Sequence, residues 1–362
     1  MLLTGGLNRK NYSVLSRFFV GNSKTSLWSV QMLRNSSILI SLLGGFALLL
    51  FCLVPGAFCA DGPEGPPVRS IEIIDTDNLG VEFDFPSTIY YDAEADEIYI
   101  TNAGRNKVVI CASDYFPQIS VGKGRGASHA LSAFVKDNKV YFCISASKDN
   151  LHGYIAVYNR ALMPLRKIFV SGVPGVDHFQ PRKLVVGENG LFYVIGGNTT
   201  ELMVLDQNGT FLRKISPQEN VLGVPEDASV RSISLGKDGR LYVLSESHGR
   251  IYVYDKNEEF LFKFGKKGGS SGKLSRPRGI AVDTLRDRVY VVDYMRHTIN
   301  VYSDRGEFLF EFGGMGNGRG WFFHPTDAIV DGRGNVLVTD TFNNRVQVFK
   351  IVDPVNEALP GA

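Results

Sequence analysis

Acidic residues are missing from the first 60 positions of this 362-residue chain. The charged residues in that stretch are all basic: Arg9, Lys10, Arg17, Lys24 and Arg34. Without these five of the 39 basic residues, 34 remain against 37 acidic ones, so the rest of the chain is mildly acidic. A mildly acidic body argues against a general nucleic-acid-binding protein.

Cysteine and the usual catalytic signatures are also scarce. Only Cys111 and Cys143 lie beyond residue 60, and no paired Cys or His spacing accompanies them, which argues against a zinc site. They fall in two different strand patterns, so a disulfide between them is an alternative that the sequence allows but does not favour. No Gly-x-Ser-x-Gly motif is present, and the glycine-rich segments 122–126 and 314–320 precede no helix, so neither fits a phosphate loop. No cofactor is predicted.

One long apolar run is present, "ILISLLGGFALLLFCLV" at Ile38–Val54, after the basic leader 1–37. A basic leader, an apolar segment and small residues near its end predict a signal peptide over 38–60. An uncleaved signal anchor is the alternative, because the run is close to the minimum length that spans a bilayer. Either interpretation places the body outside the cytoplasm, periplasmic or secreted, with "DGPEGPP" at 61–67 as a stiff linker.

The remainder is a repeat with a period typical of propeller blades. Each unit has a short first strand, a turn often rich in Asp and Gly, a second strand rich in Val and Tyr, and then a third and a fourth strand. The second strands begin at Ile98, Val140, Phe192, Leu241, Val289 and Val336, about 42 to 52 residues apart. No sustained helical period follows residue 60. The sequence therefore predicts an all-β six-bladed propeller over 68–352.

The ends of the repeat indicate how the ring closes. The last unit has no fourth strand before the tail 353–362, and an open edge invites aggregation. "RSIEIID" at Arg69–Asp75 is an orphan strand before the first full unit, and we expect it to pair with Val346–Lys350. Alternating phenylalanines in two fourth strands are predicted to be core between blades. They are Phe260, Phe262, Phe264, Phe308, Phe310 and Phe312.

Two segments, "HPTDAIVDGRGNVLVTDTFNNRVQVF" and "RPRGIAVDTLRDRVYVVDYMRHTINVY", resemble NHL repeats, and the resemblance extends over roughly 83–351. It implies a propeller that serves mostly as a protein-binding or assembly platform, with a few enzymes among its relatives. Asp340, Asn344 and Arg345 stand at positions where another unit has similar polar residues, such as Asp293 and His297. Because a loop brace is needed in every blade and a catalytic residue only once, we interpret these three as structural.

Residues that differ between units are better candidates for function. Aligned on the Pro that opens several first strands, the next residues are predicted to ring the mouth of the central channel. They are Ser87, His129, Arg182, Arg231, Arg278 and Thr326. Clustered guanidiniums repel one another and pair well with carboxylate or phosphate, so His129 and the three arginines form a candidate anion site. The alternative is internal pairing with Asp177, Glu226, Asp227 or Asp327.

The function predicted from sequence is therefore an exported binding or assembly module for a protein or an anionic ligand. The alternative is a metal-dependent lyase or hydrolase of the propeller type that uses the same mouth. A related lyase places several histidines on zinc, whereas only His129 is available in this ring, so the balance is against an enzyme. The membrane is an expected partner only if the N-terminal segment is retained, and nucleic acid is not expected.

Overall fold

The computed structural model describes residues 68–148 and 150–352. The predictions for the leader, the signal or anchor segment, the linker and the C-terminal tail lie outside the described residues. All regular structure in the described part is short. It consists of 26 β-strands and four three-residue 3-10 helices, at Ala103–Arg105, Lys123–Arg125, Lys237–Gly239 and Thr341–Asn343. None of these helices could cross a bilayer.

The first strand, β1 (Val68–Ile74), stands apart from the sheets that follow it directly in sequence. The first blade consists of β2 (Pro86–Asp92), β3 (Glu97–Asn102), β4 (Lys107–Cys111) and β5 (Pro117–Val121). The second blade consists of β6 (Ala130–Lys136), β7 (Lys139–Ile144), β8 (Tyr154–Asn159) and β9 (Pro164–Ile168). Both are antiparallel meanders, in which neighbouring strands in sequence are neighbours in the sheet.

The third blade consists of β10 (Pro181–Val186), β11 (Phe192–Gly196), β12 (Leu202–Leu205) and β13 (Phe211–Ile215). A separate two-stranded hairpin then follows, β14 (Gln218–Val221) and β15 (Val224–Asp227). The repeat pattern did not predict this hairpin, because only one unit contains it.

The fourth blade consists of β16 (Val230–Leu235), β17 (Leu241–Ser245), β18 (Arg250–Tyr254) and β19 (Phe260–Phe264). The fifth consists of β20 (Pro277–Asp283), β21 (Arg288–Asp293), β22 (Thr298–Ser303) and β23 (Phe308–Gly313). The sixth contains β24 (Ala328–Val330), β25 (Val336–Asp340) and β26 (Arg345–Ile351). Its fourth strand is β1, so the sheet order is β1-β26-β25-β24.

The closing pair is confirmed. Arg69 pairs with Lys350 and Ile74 with Val346, antiparallel, with an irregularity between Ser70 and Glu72. First strands of successive blades contact one another, and the sixth contacts the first, so the six sheets form a ring around a channel. The molecule is an all-β six-bladed propeller, as the repeat predicted.

The core lies between the blades, where the second and third strands are almost wholly buried. The expectation for the outer phenylalanines holds only for part of each strand. Phe264 and Phe310 are buried, whereas Phe260 and Phe308 are 53% and 39% exposed. Phe260 and Phe308 are the first residues of their strands, where the pairing with the third strand is irregular, so the start of each of these fourth strands is left exposed. Cys111 and Cys143 are both buried free thiols, and burial raises the pKa of Cys143 to about 12.

The repeated Asp-Asn-Arg set is a loop brace, as interpreted from the sequence. Asp340 is fully buried and accepts hydrogen bonds from Phe323 N at 2.7 Å, Arg345 Nε at 2.8 Å and Gln347 Nε2 at 3.0 Å. Asn344 adopts a left-handed conformation with φ of 53° that ends the short helix before β26. These contacts fix the loop between β25 and β26 and contribute to the wall of the channel mouth.

Candidate functional site

The three predicted arginines lie at the same structural position in three successive blades. In each blade the pairing of the first and second strands slips by one residue at this position, between Pro181 and Lys183, between Val230 and Ser232, and between Pro277 and Gly279. Arg182, Arg231 and Arg278 are therefore β-bulge residues. A bulge leaves one residue out of the ladder and redirects its side chain, here toward the channel mouth. We call these three side chains the arginine mouth.

The placement of His129 differs from the sequence alignment. In the second blade the slip falls between Ala130 and Ser132, so Leu131 occupies the position of Arg182. His129 lies two residues earlier, has φ of 62° and contacts Ser128 Oγ through Nδ1 at 3.0 Å. Four units have Pro at the position of Ala130, whereas the second and fourth units have Ala130 and Val230. The second unit therefore lacks the marker on which the alignment relied.

The arginine mouth is crowded with like charge. Burial is the main cause that lowers the pKa of Arg231 to about 10, and Arg182 and Arg278 add to the effect by repulsion. The pKa of Arg182 is lowered by burial and then by Arg278. Both shifts show that the three guanidiniums are close enough to repel one another in a partly dehydrated space.

Two carboxylates partly offset this charge: Glu246 acts against the lowering of the pKa of both Arg231 and Arg182, and Asp327 does so for Arg231. The sequence did not indicate Glu246. Glu246, in the loop between β17 and β18, has Oε2 at 3.3 Å from Arg231 Nε and also pairs with Arg276. The 3.3 Å contact is an ion pair without hydrogen-bond geometry, because Arg231 Nε has no hydrogen-bond partner. Glu246 occurs in a loop without a repeated signal, so only the fold brings it to the mouth.

Of the acids considered for internal pairing, none neutralises Arg182 or Arg278. Asp327 pairs with Lys183, Glu226 lies 3.8 Å from His248, and Asp227 accepts from Gln218. Within residues 68–148 and 150–352, no carboxylate lies within ion-pair distance of Arg182 or Arg278. Arg278 instead lies over the Tyr294 ring at 3.6 Å, and its buried Nε has no hydrogen-bond partner.

Aromatic rings border the arginine mouth on one side. Tyr294 stacks on His324 with ring centroids 4.4 Å apart, and His324 contacts Phe342 at 5.1 Å. Phe323 lies 5.7 Å from Phe342, which is 44% exposed. We call Tyr294, Phe323, His324 and Phe342 the aromatic wall. Through Tyr294 it joins the guanidinium of Arg278, so flat apolar surface and positive charge meet at one place.

A polar ring closes the channel below the mouth. It is formed by the residue that follows each bulge: Thr88, Ser132, Lys183, Ser232, Gly279 and Asp327. Lys183 Nζ lies 3.0 Å from Asp327 Oδ2 and 3.0 Å from Ser232 Oγ. Since the third and sixth blades face each other across the ring, this ion pair spans the channel. Burial raises the pKa of Asp327, against the opposing effect of Lys183.

Gly279 makes room for this ion pair. A Cβ there would meet Asp327 Cα at 2.6 Å and the carbonyl oxygen of Thr326 at 2.8 Å. The sixth blade therefore packs its backbone directly against the fifth at this level. No group of three or more His, Cys, Asp or Glu side chains in the described part of the chain could hold a metal ion.

Comparisons with known proteins agree with this fold. A family model described as a 6-bladed beta-propeller matches residues 280–357. No curated protein sequence matches the chain significantly. A protein of unknown function from Bacteroides thetaiotaomicron VPI-5482 superimposes with a TM-score of 0.58 at 13% identity, covering 78% of this chain and 75% of that one.

Two further solved structures are similar. An auxiliary nutrient binding protein from the same bacterium has a TM-score of 0.57 at 13% identity, with 78% of this chain and 76% of that one covered. Virginiamycin B lyase from Staphylococcus aureus has a TM-score of 0.51 at 13% identity, with 79% and 100% covered. At such identities the likeness concerns the fold alone.

Proposed function

We propose that this chain is a binding module that captures an anionic group of a protein or small ligand at the arginine mouth. One observation carries the proposal: two of the three clustered guanidiniums, those of Arg182 and Arg278, have no carboxylate partner among the described residues. Partly buried cations without counter-ions are costly in free energy, and a bound anion offsets that cost.

The geometry suits a forked anion. A guanidinium presents several donors in one plane and pairs with two oxygens at once, so carboxylate and phosphate are the fitting groups. The buried Nε atoms of Arg231 and Arg278 make no hydrogen bond, although Arg231 Nε lies 3.3 Å from Glu246 Oε2, so the fold leaves donor capacity at the mouth unused. Binding of an anion also returns the lowered pKa of Arg231 toward its ordinary value, which couples affinity to the charge state of the mouth.

The aromatic wall restricts further the kinds of ligand that fit the site. A group that continues from the anion toward Tyr294 meets an apolar, flat surface, since Phe342 is 44% exposed beside it. We therefore infer a ligand in which a carboxylate or phosphate adjoins an apolar or planar part, such as an acidic side chain beside an aromatic one in a partner protein. The resemblance to NHL repeats favours a protein partner.

We also propose that the propeller functions outside the cytoplasm, periplasmic or secreted. The basic leader and the apolar run Ile38–Val54 support this, and the latter is a membrane anchor if it is retained. N-terminal sequencing of the protein recovered from the envelope tests it. A mature N-terminus near Ala60 indicates cleavage, an intact one in the membrane fraction indicates an anchor, and recovery in the cytoplasm contradicts the proposal.

The binding proposal is tested by calorimetric titration of the full chain with citrate and with inorganic phosphate at low and high salt. We expect one site per chain and an affinity that falls with salt, because the contact is electrostatic. The combined substitutions Arg182→Gln, Arg231→Gln and Arg278→Gln should abolish it. The exposed Arg305→Gln is the matched control. Equal binding by the triple variant contradicts the proposal, and a stoichiometric metal found by elemental analysis would favour the metal-dependent enzyme instead.

A further inference from the structure

A second cavity lies on the other side of the Lys183–Asp327 ion pair, and the arginine mouth does not contribute to it. Its volume is about 530 Å³, and it extends from the polar ring to the loops that follow the first strands. Lys183 and Asp327 line its inner end, and Leu285 and Gly332 lie at its outer end. We call this cavity the lower pocket. Its size is within the range of pockets that bind small organic molecules.

The walls of the lower pocket are mostly apolar, although the charged residues Lys136, Asp283 and Asp331 also line it. Below the polar ring the first strands contribute mostly aliphatic and aromatic residues, among them Ile89, Phe134, Leu184, Ile280 and Ile329. Small residues on two facing strands keep the space open: Ala133 of the second blade and Ala281 of the fifth. A channel wall made of such residues favours an apolar occupant, because burying apolar surface releases its hydrating water.

The inner end of the lower pocket is polar but electrically balanced. The ammonium of Lys183 is matched by the carboxylate of Asp327, at 3.0 and 3.1 Å to its two oxygens. A second charge brought against this pair would be buried without a counter-ion. The hydroxyl of Thr88, which contacts Thr101 Oγ1 and the Leu131 carbonyl oxygen, is an uncharged hydrogen-bonding group that lines the same end, so an uncharged polar head fits best.

The outer end is open to solvent. Leu285 is 71% exposed in the turn after β20, and Val282 and Val330 near the end of their strands are partly exposed although they lie at the centre of the ring. An apolar molecule can therefore enter from the face opposite the arginine mouth. The ion pair separates the two sites along one channel.

From these observations we propose that the lower pocket binds a neutral, largely apolar small molecule with one hydroxyl, carbonyl or N–H group, which points toward Thr88 and the Lys183–Asp327 pair. This site is independent of the anion site and differs from it in ligand charge. The two sites thus present opposite chemistries at the two ends of the channel.

Fluorescence titration of the full chain with N-phenyl-1-naphthylamine tests this proposal. The probe is neutral, apolar and carries one N–H group. Its matched comparison is 1-anilinonaphthalene-8-sulfonate, which has a similar apolar body with an added sulfonate. We expect the neutral probe to bind one site roughly tenfold or more tightly than the sulfonate does there.

Two filling variants locate the site. Ser234→Trp and Val282→Phe each place a large ring in the lower pocket from a different blade, and we expect a loss of roughly tenfold or more in affinity for the neutral probe. Ser120→Trp on the outermost strand of the first blade is the control and should bind as the unchanged protein does. This control also accounts for any probe held by the apolar N-terminal run, which all variants share.

Circular dichroism establishes which filling variants are folded, and a single folded one is sufficient. Undiminished binding of the neutral probe by a folded filling variant overturns the proposal. So does a neutral probe that is lost from the triple arginine variant, because the probe would then occupy the arginine mouth. Retention of the neutral probe by that triple variant, with loss in the filling variants, supports a separate lower pocket.

Discussion

Lys183 of the third blade reaches Asp327 of the sixth blade, with 3.0 Å between Nζ and Oδ2, across the centre of the ring. Their side chains are only 18% and 3% exposed. A buried ion pair between opposite blades both ties the ring across its diameter and divides the channel. Breaking such a pair on one side leaves an uncompensated charge in a dry site.

Substitution of this lysine should be strongly destabilising. We expect Lys183→Met to lower the free energy of unfolding by about 3–5 kcal/mol at neutral pH, because Asp327 is left buried without a cation. Urea denaturation measures it. The double variant Lys183→Met with Asp327→Leu should recover most of the loss. Lys214→Met, which breaks the exposed pair with Glu201, is the control and should lower the free energy of unfolding far less.

The close approach of the fifth and sixth blades should make Gly279 intolerant of any side chain. Gly279→Ala places a methyl group 2.6 Å from Asp327 Cα, so the backbone must move, at a cost of about 1–3 kcal/mol. Gly269→Ala, where a Cβ meets nothing within 4 Å, should change stability by less than about 0.5 kcal/mol. Thermal unfolding of the two variants compares them, and equal midpoints would contradict the packing described.

Removing one cation from the arginine mouth should raise the stability of the unliganded protein and lower its affinity for anions. Arg182→Gln relieves repulsion from Arg278, so the unliganded protein should gain about 0.5–1 kcal/mol, while the affinity for citrate falls. Denaturation and calorimetry on the same preparation measure both quantities. Arg305→Gln should change neither. A variant that loses stability instead would indicate that Arg182 has a structural role in the fold.

The link between the closing strand and the first blade should depend on acid pH. Burial raises the pKa of Asp77, but hydrogen bonds from the backbone N–H groups of Leu79 and Val81 and the pairing with Lys107 outweigh it, so the net pKa is lowered. A lowered folded-state pKa contributes stability above the unfolded-state pKa of about 4, and this is lost as pH falls through the folded-state value.

Asp77→Asn should therefore cost on the order of 1 kcal/mol at pH 7, and the cost should shrink below about pH 4. Urea denaturation between about pH 2.5 and 7, a range that brackets the pKa of roughly 4 of a free Asp, measures the difference in the free energy of unfolding between the two proteins. Asp114→Asn, on a loop of the first blade, is the control. A cost that does not change with pH would mean that the Asn side chain is destabilising because it fits poorly, and not because the charge of the carboxylate is lost.

Ring closure should depend on the buried side of β1. Ile74 is 4% exposed and packs with Phe83, Val346 and Val348, so Ile74→Ala should cost about 2–4 kcal/mol. Ile71 on the same strand is 41% exposed, and Ile71→Ala should cost less than about 1 kcal/mol. Urea denaturation compares them. Similar costs for both would argue that this strand closes the ring by backbone pairing alone.

The fold could be predicted from the repeat because every blade has the same alternation of buried and exposed positions. The pairing of Arg69–Asp75 with the last blade followed from counting strands, since an unpaired edge is unfavourable. The candidate site was predicted only in part. Arg182 and Arg231 could be found because the strand-opening residues Pro181 and Val230 keep the same register, whereas Ala130 concealed that Leu131, not His129, is the bulge residue.

The sequence by itself determined the number of blades, the closing strand and the position along the chain of three mouth arginines, because these depend on local period and on pairing between neighbouring strands. Only the tertiary structure decided which acids meet which bases. Glu246 faces Arg231 and Asp327 faces Lys183 because the ring brings distant loops and opposite blades within a few ångströms. Such contacts have no period in the sequence, and among the described residues they leave Arg182 and Arg278 without a carboxylate at ion-pair distance.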